Sequence, residues 1–268
     1  MSSIKFGCQT YTWQMSYDKY AGHMDHILDV VRRSGMTGVE PEVCMMGPYY
    51  DPARFREELD KNGLSLAALT YTATWTGSRE TEEERAGVDE AIAFAKQFPG
   101  AKLCLCQLPS GAREDLLQRQ KNALSCLHAA AERAVDAGLT CVFHPNSPTN
   151  SIFRYKSDYD VLCQGMNSDI LGLAIDSGHL LNGDVDLYSF IREVRPLIRH
   201  IHFKDIDSQH TWASMGEGIT DFPAVVDYFR ETGYDGWIMI EEESRAAQAD
   251  PDGVTLQNGA YVLKALAK

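Results

Sequence analysis

The sequence lacks several features of proteins that act on nucleic acids or membranes. It has 25 Lys and Arg against 38 Asp and Glu, a formal net charge of −13 in 268 residues. Such a surface repels phosphate backbones and anionic headgroups, so DNA, RNA and anionic membranes are disfavoured as partners. The amino terminus has no long apolar segment, and Pro, Asn and Ser interrupt the apolar stretches elsewhere. Neither a signal peptide nor a membrane span is expected.

Two further absences concern cofactors and cross-links. The single Gly-Glu-Gly at 216–218 lacks the G-x-G-x-x-G spacing of dinucleotide-binding loops, and no P-loop pattern occurs, so a nucleotide cofactor is not indicated. The seven cysteines are odd in number, scattered and without a C-x-x-C pair, which argues against a disulfide framework or a zinc ribbon. We therefore expect reduced cysteines and a cytoplasmic protein.

Regular alternation is the main feature that the sequence does have. Short apolar, β-branched runs alternate with helix-length amphipathic segments along the chain, as in parallel strands joined by crossover helices. We count eight such β/α units, and 268 residues suit one large domain over 1–268. Eight units favour a single-domain (β/α)8 TIM barrel over a doubly wound open sheet, which would show the same alternation with fewer strands.

The predicted elements end at recognisable signals. Glycine follows four of the predicted helices, at Gly35, Gly63, Gly138 and Gly233. The predicted strands are Ile4 to Gln9, Gly38 to Glu40, Leu64 to Leu69, Lys102 to Gln107, Thr140 to His144, Leu171 to Asp176, His200 to Lys204 and Trp237 to Glu241. The predicted helices include Met24 to Ser34, Ala53 to Asn62, Thr81 to Gln97, Glu114 to Ala137, Asp186 to Val194, Asp221 to Thr232 and Gly253 to Ala267.

Metal-ligating residue types stand at the ends of the last four predicted strands: His144, Asp176, His202 and Glu241. In a barrel, the chemistry lies at the carboxyl ends of the strands, so these four side chains should converge. A mixed nitrogen and oxygen set suits Mn²⁺, Co²⁺, Zn²⁺ or Fe²⁺ better than Mg²⁺ or Ca²⁺. Each residue alone is more often structural, but the four together predict one divalent metal, with manganese, cobalt or zinc favoured and iron or magnesium as further candidates.

Polar neighbours could complete this site. His200, His202 and Lys204 alternate along one predicted strand, so they share a face. Lys204 could hold a substrate oxygen or transfer a proton near the metal. The alternative is a structural salt bridge from Lys204 to Asp205 or to another carboxylate.

Other candidates lie in loops and at a strand end. His179 follows the sixth predicted strand and could donate a proton to substrate or simply pack in the loop. Glu40 ends the second strand and could face the site or form a structural ion pair. Trp13, Tyr11 and Trp75 follow the first and third strands, where an aromatic ring could stack on a sugar or pack within a loop.

Several segments resemble one known family. They are DSGH at 176–179, HIHFKD at 200–205, and GEG-x-x-DFPAVVDYFRETGYDGW at 216–237 followed by an apolar run that ends in Glu241. These segments are similar to the xylose isomerase-like TIM barrels, which include sugar-phosphate isomerases/epimerases, ketose 3-epimerases, inosose dehydratase and endonuclease IV. The resemblance is strongest over 139–243. It implies that the four strand-end residues named above hold a divalent metal.

One position separates the branches of this family. The ketose epimerases carry Glu on the fifth strand, where this sequence has His144, so their two-glutamate mechanism is not expected. A histidine there, together with Lys204-Asp205 on the seventh strand, looks more like the inosose dehydratase branch. Endonuclease IV needs more ligands for three zinc ions and a DNA-binding surface, and the net charge of −13 argues against it.

The resemblance implies α-proton abstraction on a keto sugar or cyclitol, followed by isomerisation, epimerisation or dehydration. Glu241 is the candidate base, Lys204 and His179 are candidate proton donors, and Trp13, Glu40 and His200 are candidate substrate contacts. No phosphate-binding signature is present, which favours an unphosphorylated substrate. The alternatives are a metal-dependent hydrolase related to endonuclease IV and a non-catalytic sugar-binding barrel. The sequence is compatible with a homo-oligomer and does not fix the oligomeric state.

Overall fold

The structure is a computed structural model that describes residues 4–267. Strands and helices alternate along these residues. The strands are β1 Lys5–Gln9, β2 Gly38–Glu40, β3 Ser65–Leu66, β4 Ala68–Ala73, β5 Lys102–Gln107, β6 Thr140–His144, β7 Leu171–Asp176, β8 Ile198–Phe203, β9 Asp205–Ile206, β10 Trp212–Ala213 and β11 Trp237–Ile240. The α-helices are α1 Tyr11–Gln14, α2 Tyr17–Tyr20, α3 Met24–Ser34, α4 Val43–Met46, α5 Pro52–Asn62, α6 Glu82–Ala95, α7 Leu116–Asp136, α8 Lys156–Gly165, α9 Ser177–Asn182, α10 Leu187–Glu193, α11 Phe222–Glu231, α12 Arg245–Ala249 and α13 Pro251–Tyr261. Shorter turns of 3-10 helix span Gly47–Tyr49 and Arg195–Leu197, and a turn of π-helix spans Val262–Leu266.

The chain forms two compact units, and the first consists of the chain up to Ala67 together with the part from Ile201 onward. Its strands lie in the order β3, β2, β1, β11 and the end of β8, and all the pairings are parallel. Helices α3 and α13 pack against each other, and α3 buries Ile27, Leu28 and Val31. The spacing of these apolar residues matches one face of an α-helix, which explains why this segment is helical.

The second unit runs from Ala68 to His200 and contains β4, β5, β6 and β7 in sequential, parallel order. One small or β-branched residue from each strand lies completely buried in a shared core layer. The four residues of this layer are Ala68, Cys104, Val142 and Ala174. Helices α6 and α7 pack against these strands and against each other. None of the helices within residues 4–267 combines the length and the apolar character needed to cross a membrane.

Most predicted elements are confirmed within two or three residues, and several strand bounds match fully. The predicted third strand, 64–69, is instead two strands, β3 and β4, divided at Ala67. The strands on either side of Ala67 pair with different neighbours, β2 and β5, and a hydrophobic pattern does not report such a break. Helix α8 was absent from the predicted helices, because only Tyr159 and Leu162 among its residues are apolar side chains that become buried.

The helix ends also follow the predicted signals. Gly35, Gly63, Gly138 and Gly233 all have positive φ angles, as a glycine that ends a helix requires. The Asp221 side chain accepts the backbone N–H of Ala224 at the start of α11. This is the N-terminal cap expected of aspartate, and it fixes where α11 begins.

A short antiparallel hairpin follows β8 and was not predicted. Strands β9 and β10 pair through Ile206 with Trp212 and through Asp205 with Ala213. The turn between them is closed by Asp207, whose carboxylate accepts the backbone N–H groups of Gln209 and Thr211. Two-residue strands are too short to give a hydrophobic period, so the sequence carries no signal for them.

The Gly-Glu-Gly segment at 216–218 surrounds the Asp205 carboxylate. This carboxylate accepts backbone N–H groups from Ile206, Gly216, Gly218 and Thr220 at 2.9 to 3.3 Å. The segment therefore binds a carboxylate of its own chain and anchors the residues that follow the hairpin.

Replacing Gly218 with alanine is expected to lower the free energy of unfolding by about 2 kcal/mol, because an added methyl group overpacks the segment. Its Cβ would lie 2.2 Å from the Ile206 carbonyl oxygen and 2.3 Å from Asp205 Oδ1. Urea denaturation measures the change. Gly77→Ala is the control, since its nearest atom, the Arg79 carbonyl oxygen, lies at 3.2 Å. Equal losses in the two variants would contradict the proposed crowding.

Candidate metal centre and active site

In the first unit, the His202 ring lies between two carboxylates. Nδ1 is 2.8 Å from Glu241 Oε2 and Nε2 is 3.0 Å from Glu40 Oε2, and all three side chains are buried. Strand β8 carries His202, β2 ends at Glu40, and Glu241 directly follows β11. Burial opposes the charged ring, but the two carboxylates overcome this effect and raise the pKa of His202 to about 10. Both ring nitrogens therefore donate hydrogen bonds.

Lys204 joins the same group from the position just after β8. Its Nζ donates to Glu241 Oε1 at 2.8 Å and also to the Glu243 carboxylate, and only 1% of its side chain is exposed. The predicted salt bridge to another carboxylate is thus confirmed. Asp205 does not serve as the partner, because its oxygens accept the backbone N–H groups described above.

The charges of this buried group do not cancel. Three carboxylates, from Glu40, Glu241 and Glu243, contact two cationic side chains, His202 and Lys204. Displacing the His202 proton would leave the group with two net negative charges, which matches the charge of a divalent cation. Buried charge is costly unless it is compensated, so this donor set fits a metal ion. In this unit, His202, Glu241 and Glu40 offer nitrogen and oxygen ligands.

In the second unit, His144 and Asp176 end neighbouring strands, β6 and β7. His144 Nε2 lies 3.7 Å from Asp176 Oδ2, and both side chains are buried. The other Asp176 oxygen, Oδ1, accepts the backbone N–H of His179 at 2.7 Å and so caps helix α9. This cap orients the Asp176 carboxylate with its second oxygen toward the imidazole.

His179 is close to this pair and is held by a residue that the sequence did not indicate. Its Nδ1 lies 2.8 Å from Ser147 Oγ, and its ring meets that of His144 edge to face at a centroid distance of 5.5 Å. The Ser147 hydroxyl therefore helps to fix the orientation of the His179 ring. Serine in a loop carries no pattern that would have singled it out.

The remaining candidates differ in their surroundings. His200 is completely buried on β8 within the second unit. Trp13 is also completely buried, and its indole N–H donates to Asp252 Oδ1 at 2.8 Å. Its substrate contact stays a prediction. Trp75 is 1% exposed, whereas Tyr11 is half-buried beside Lys204.

The sequence of this chain matches a known protein family. Residues 28–265 match the family model described as xylose isomerase-like TIM barrel. An inosose dehydratase from Lacticaseibacillus casei is 24% identical over 271 residues, which cover 89% of this chain and 88% of that protein.

Solved structures agree with this match. A sugar phosphate isomerase/epimerase from Parabacteroides distasonis has a TM-score of 0.73 at 16% identity, over 100% of this chain and 96% of its own. The IOLI protein, whose structure is described with a binding zinc atom, has a TM-score of 0.77 at 14% identity, over 100% of this chain and 98% of its own. These likenesses confirm the predicted single-domain TIM barrel fold. With nearly all of its length matched, the chain belongs to the xylose isomerase-like TIM barrel family.

Proposed function

We propose that this chain is a divalent-metal-dependent enzyme that abstracts the α-proton of an unphosphorylated keto sugar or cyclitol, with dehydration of an inosose as its reaction. One observation carries the proposal. Each unit holds a buried pair of metal-ligating side chains where its strands end, His144 with Asp176 in one unit and His202 with Glu241 in the other. Two nitrogen and two oxygen ligands favour manganese, cobalt or zinc over calcium. The zinc in the IOLI structure supports this choice.

In the proposed reaction, the ion would polarise the substrate and a side chain would remove the proton. A divalent ion held by these residues would polarise a carbonyl and the neighbouring hydroxyl and so acidify the C–H bond beside the carbonyl. Glu241 is the base in this proposal, and each of its two carboxylate oxygens contacts a different side chain. Oε2 contacts His202, whereas Oε1 contacts the Lys204 ammonium. The buried position of this carboxylate keeps water away from the proton that it removes.

Loss of a hydroxyl group needs a second proton, which an acid must deliver to the departing oxygen. The candidate acids are Lys204, whose Nζ is buried, and His179, whose ring is oriented by the Ser147 hydroxyl at Nδ1. Returning the proton to carbon would give an epimer, and moving it to the adjacent carbon would give an isomer. Candidate acids in addition to a base favour dehydration, and so does the inosose dehydratase relative that matches 89% of this chain.

The test combines metal analysis with hydrogen exchange. Protein purified without added metal should contain about one Mn, Co, Zn or Fe per chain. With 2-keto-myo-inositol in D₂O, it should exchange the α-proton and release water, as followed by NMR and by ultraviolet absorption of the enone product. The His144→Ala variant should bind metal at least about 10- to 100-fold more weakly.

Each alternative has its own outcome. A protein that takes up no metal on titration would overturn the metal-dependent mechanism. Metal uptake without proton exchange, together with hydrolysis of a phosphodiester, would indicate a metal-dependent hydrolase instead. Binding of the inosose without exchange or turnover would indicate a sugar-binding barrel.

A further inference from the structure

The Lys204 ammonium has aromatic neighbours as well as carboxylates. Its Nζ lies 5.1 Å from the centre of the Trp212 ring and 5.8 Å from the centre of the Tyr11 ring. Both distances are within the range in which a cation is attracted to the face of an aromatic ring, and tryptophan gives the strongest attraction. Burial strengthens such a contact, and Lys204 is 1% exposed.

Trp212 reaches this place because the hairpin holds it there. It lies on β10, which pairs with β9 directly after Lys204 in the chain. The Asp205 carboxylate fixes the base of the hairpin through four backbone N–H groups, two of them from Gly216 and Gly218. Gly218 has no side chain at the point where a Cβ would collide with Asp205 and Ile206. The Asp205 carboxylate thus binds the glycine segment to the hairpin that carries Trp212.

We propose that Trp212 is a positioning residue that holds the Lys204 ammonium at the catalytic group, with Asp205 as the anchor of the hairpin that carries it. Glu241 is a buried partner of Nζ, but Glu243 is partly exposed and its side chain has many rotamers, so it constrains Nζ less. The Trp212 ring adds a contact to Nζ that does not depend on the Glu243 rotamer. The catalytic consequence rests on the proposed function, whereas the contact itself does not.

The contact is testable without any substrate. An indole ring shifts the resonances of nuclei above its face upfield, so the Cε methylene of Lys204 should be displaced from those of exposed lysines. Protein labelled with ¹³Cε-lysine reports this shift, and the Lys204→Arg variant assigns the resonance. Trp212→Leu should return the resonance to the position of exposed lysines, whereas Trp212→Phe should retain part of the shift.

Matched variants separate positioning from a general loss of structure. Thr211→Ala alters an exposed side chain on the same hairpin and should leave the Lys204 resonance in place. Asp205→Asn should move it toward the exposed position, because the hairpin loses its anchor. An unchanged Lys204 resonance in Trp212→Leu would overturn the proposal, whatever the activity.

Kinetics with 2-keto-myo-inositol add a second readout. Trp212→Leu should lower kcat about tenfold with KM changed less than about twofold, and Trp212→Phe should recover most of the loss. A rise in KM alone would mean that the ring contacts the substrate, and it would overturn the positioning role. Failure of the proposed function looks different: the wild-type protein would show the shifted Lys204 resonance but no turnover.

Discussion

Replacing Glu241 by glutamine is expected to slow α-proton exchange of a keto-inositol by about 10²- to 10⁴-fold, the usual contribution of a positioned general base. The change keeps the shape of the side chain but removes its basic oxygen and its charge. His202 would still contact Glu40 and Lys204 would still contact Glu243, so we expect the protein to remain folded. Exchange measured by NMR in D₂O and metal content measured on the same sample give the two readouts.

Glu243→Gln is the matched control for this prediction. Glu243 also accepts a hydrogen bond from Lys204, but it is partly exposed and is not among the four proposed metal ligands. We expect this variant to keep its metal and to lose much less exchange activity than Glu241→Gln. Equal losses in the two variants would mean that only the charge around Lys204 matters, and Glu241 would not be the base.

The second large effect concerns stability in the unit formed by Ala68 to His200. Asp158 is a buried carboxylate that accepts a bidentate ion pair from Arg113 at 2.8 and 3.0 Å. It also accepts the side-chain amide of Gln120 and the backbone N–H groups of Arg154 and Tyr155. Asp158→Ala leaves all these donors without the carboxylate, and we expect a loss of about 3 kcal/mol in the free energy of unfolding.

Urea denaturation measures this loss, and the same helix provides its control. Asp160 pairs with Lys156 one turn away, but both side chains are more than 40% exposed. Exposed pairs contribute little, so Asp160→Ala should change the free energy of unfolding by less than about 0.5 kcal/mol. A loss in Asp158→Ala no larger than that in Asp160→Ala would show that the buried network is not a source of stability.

The sequence predicted the parts of the molecule that depend on local chemistry. Strands β5, β6 and β7 match their predicted bounds because their apolar runs are short, buried and followed by polar residues. The same change from apolar to polar residues marked His144, Asp176 and Glu241 as strand-end candidates. Where a periodic pattern ends, the side chain that comes next can be identified without knowing the tertiary structure.

Contacts between distant segments could not be predicted in this way. The sequence indicated Glu40 and His202 separately, but 162 positions separate them and no pattern joins them. Trp212 belongs to a two-residue strand, and its contact with Lys204 depends on how the Asp205 carboxylate binds the glycine segment. The hydrogen bond from Trp13 to Asp252 joins residues 239 positions apart, and no pattern in the sequence indicates it.

Strand β8 also limits how this protein can vary in length. His200 and His202 alternate with Ile201 and Phe203, so polar and apolar side chains point to opposite faces of the strand. Inserting or deleting one residue before His202 would exchange the two faces and move the imidazoles into the apolar layer. A substitution in β8 changes one side chain, which neighbouring residues can accommodate. A change of length moves every following side chain of the strand to the other face. Length variants of this protein should therefore occur in surface turns, such as 207–211, and not within the strand.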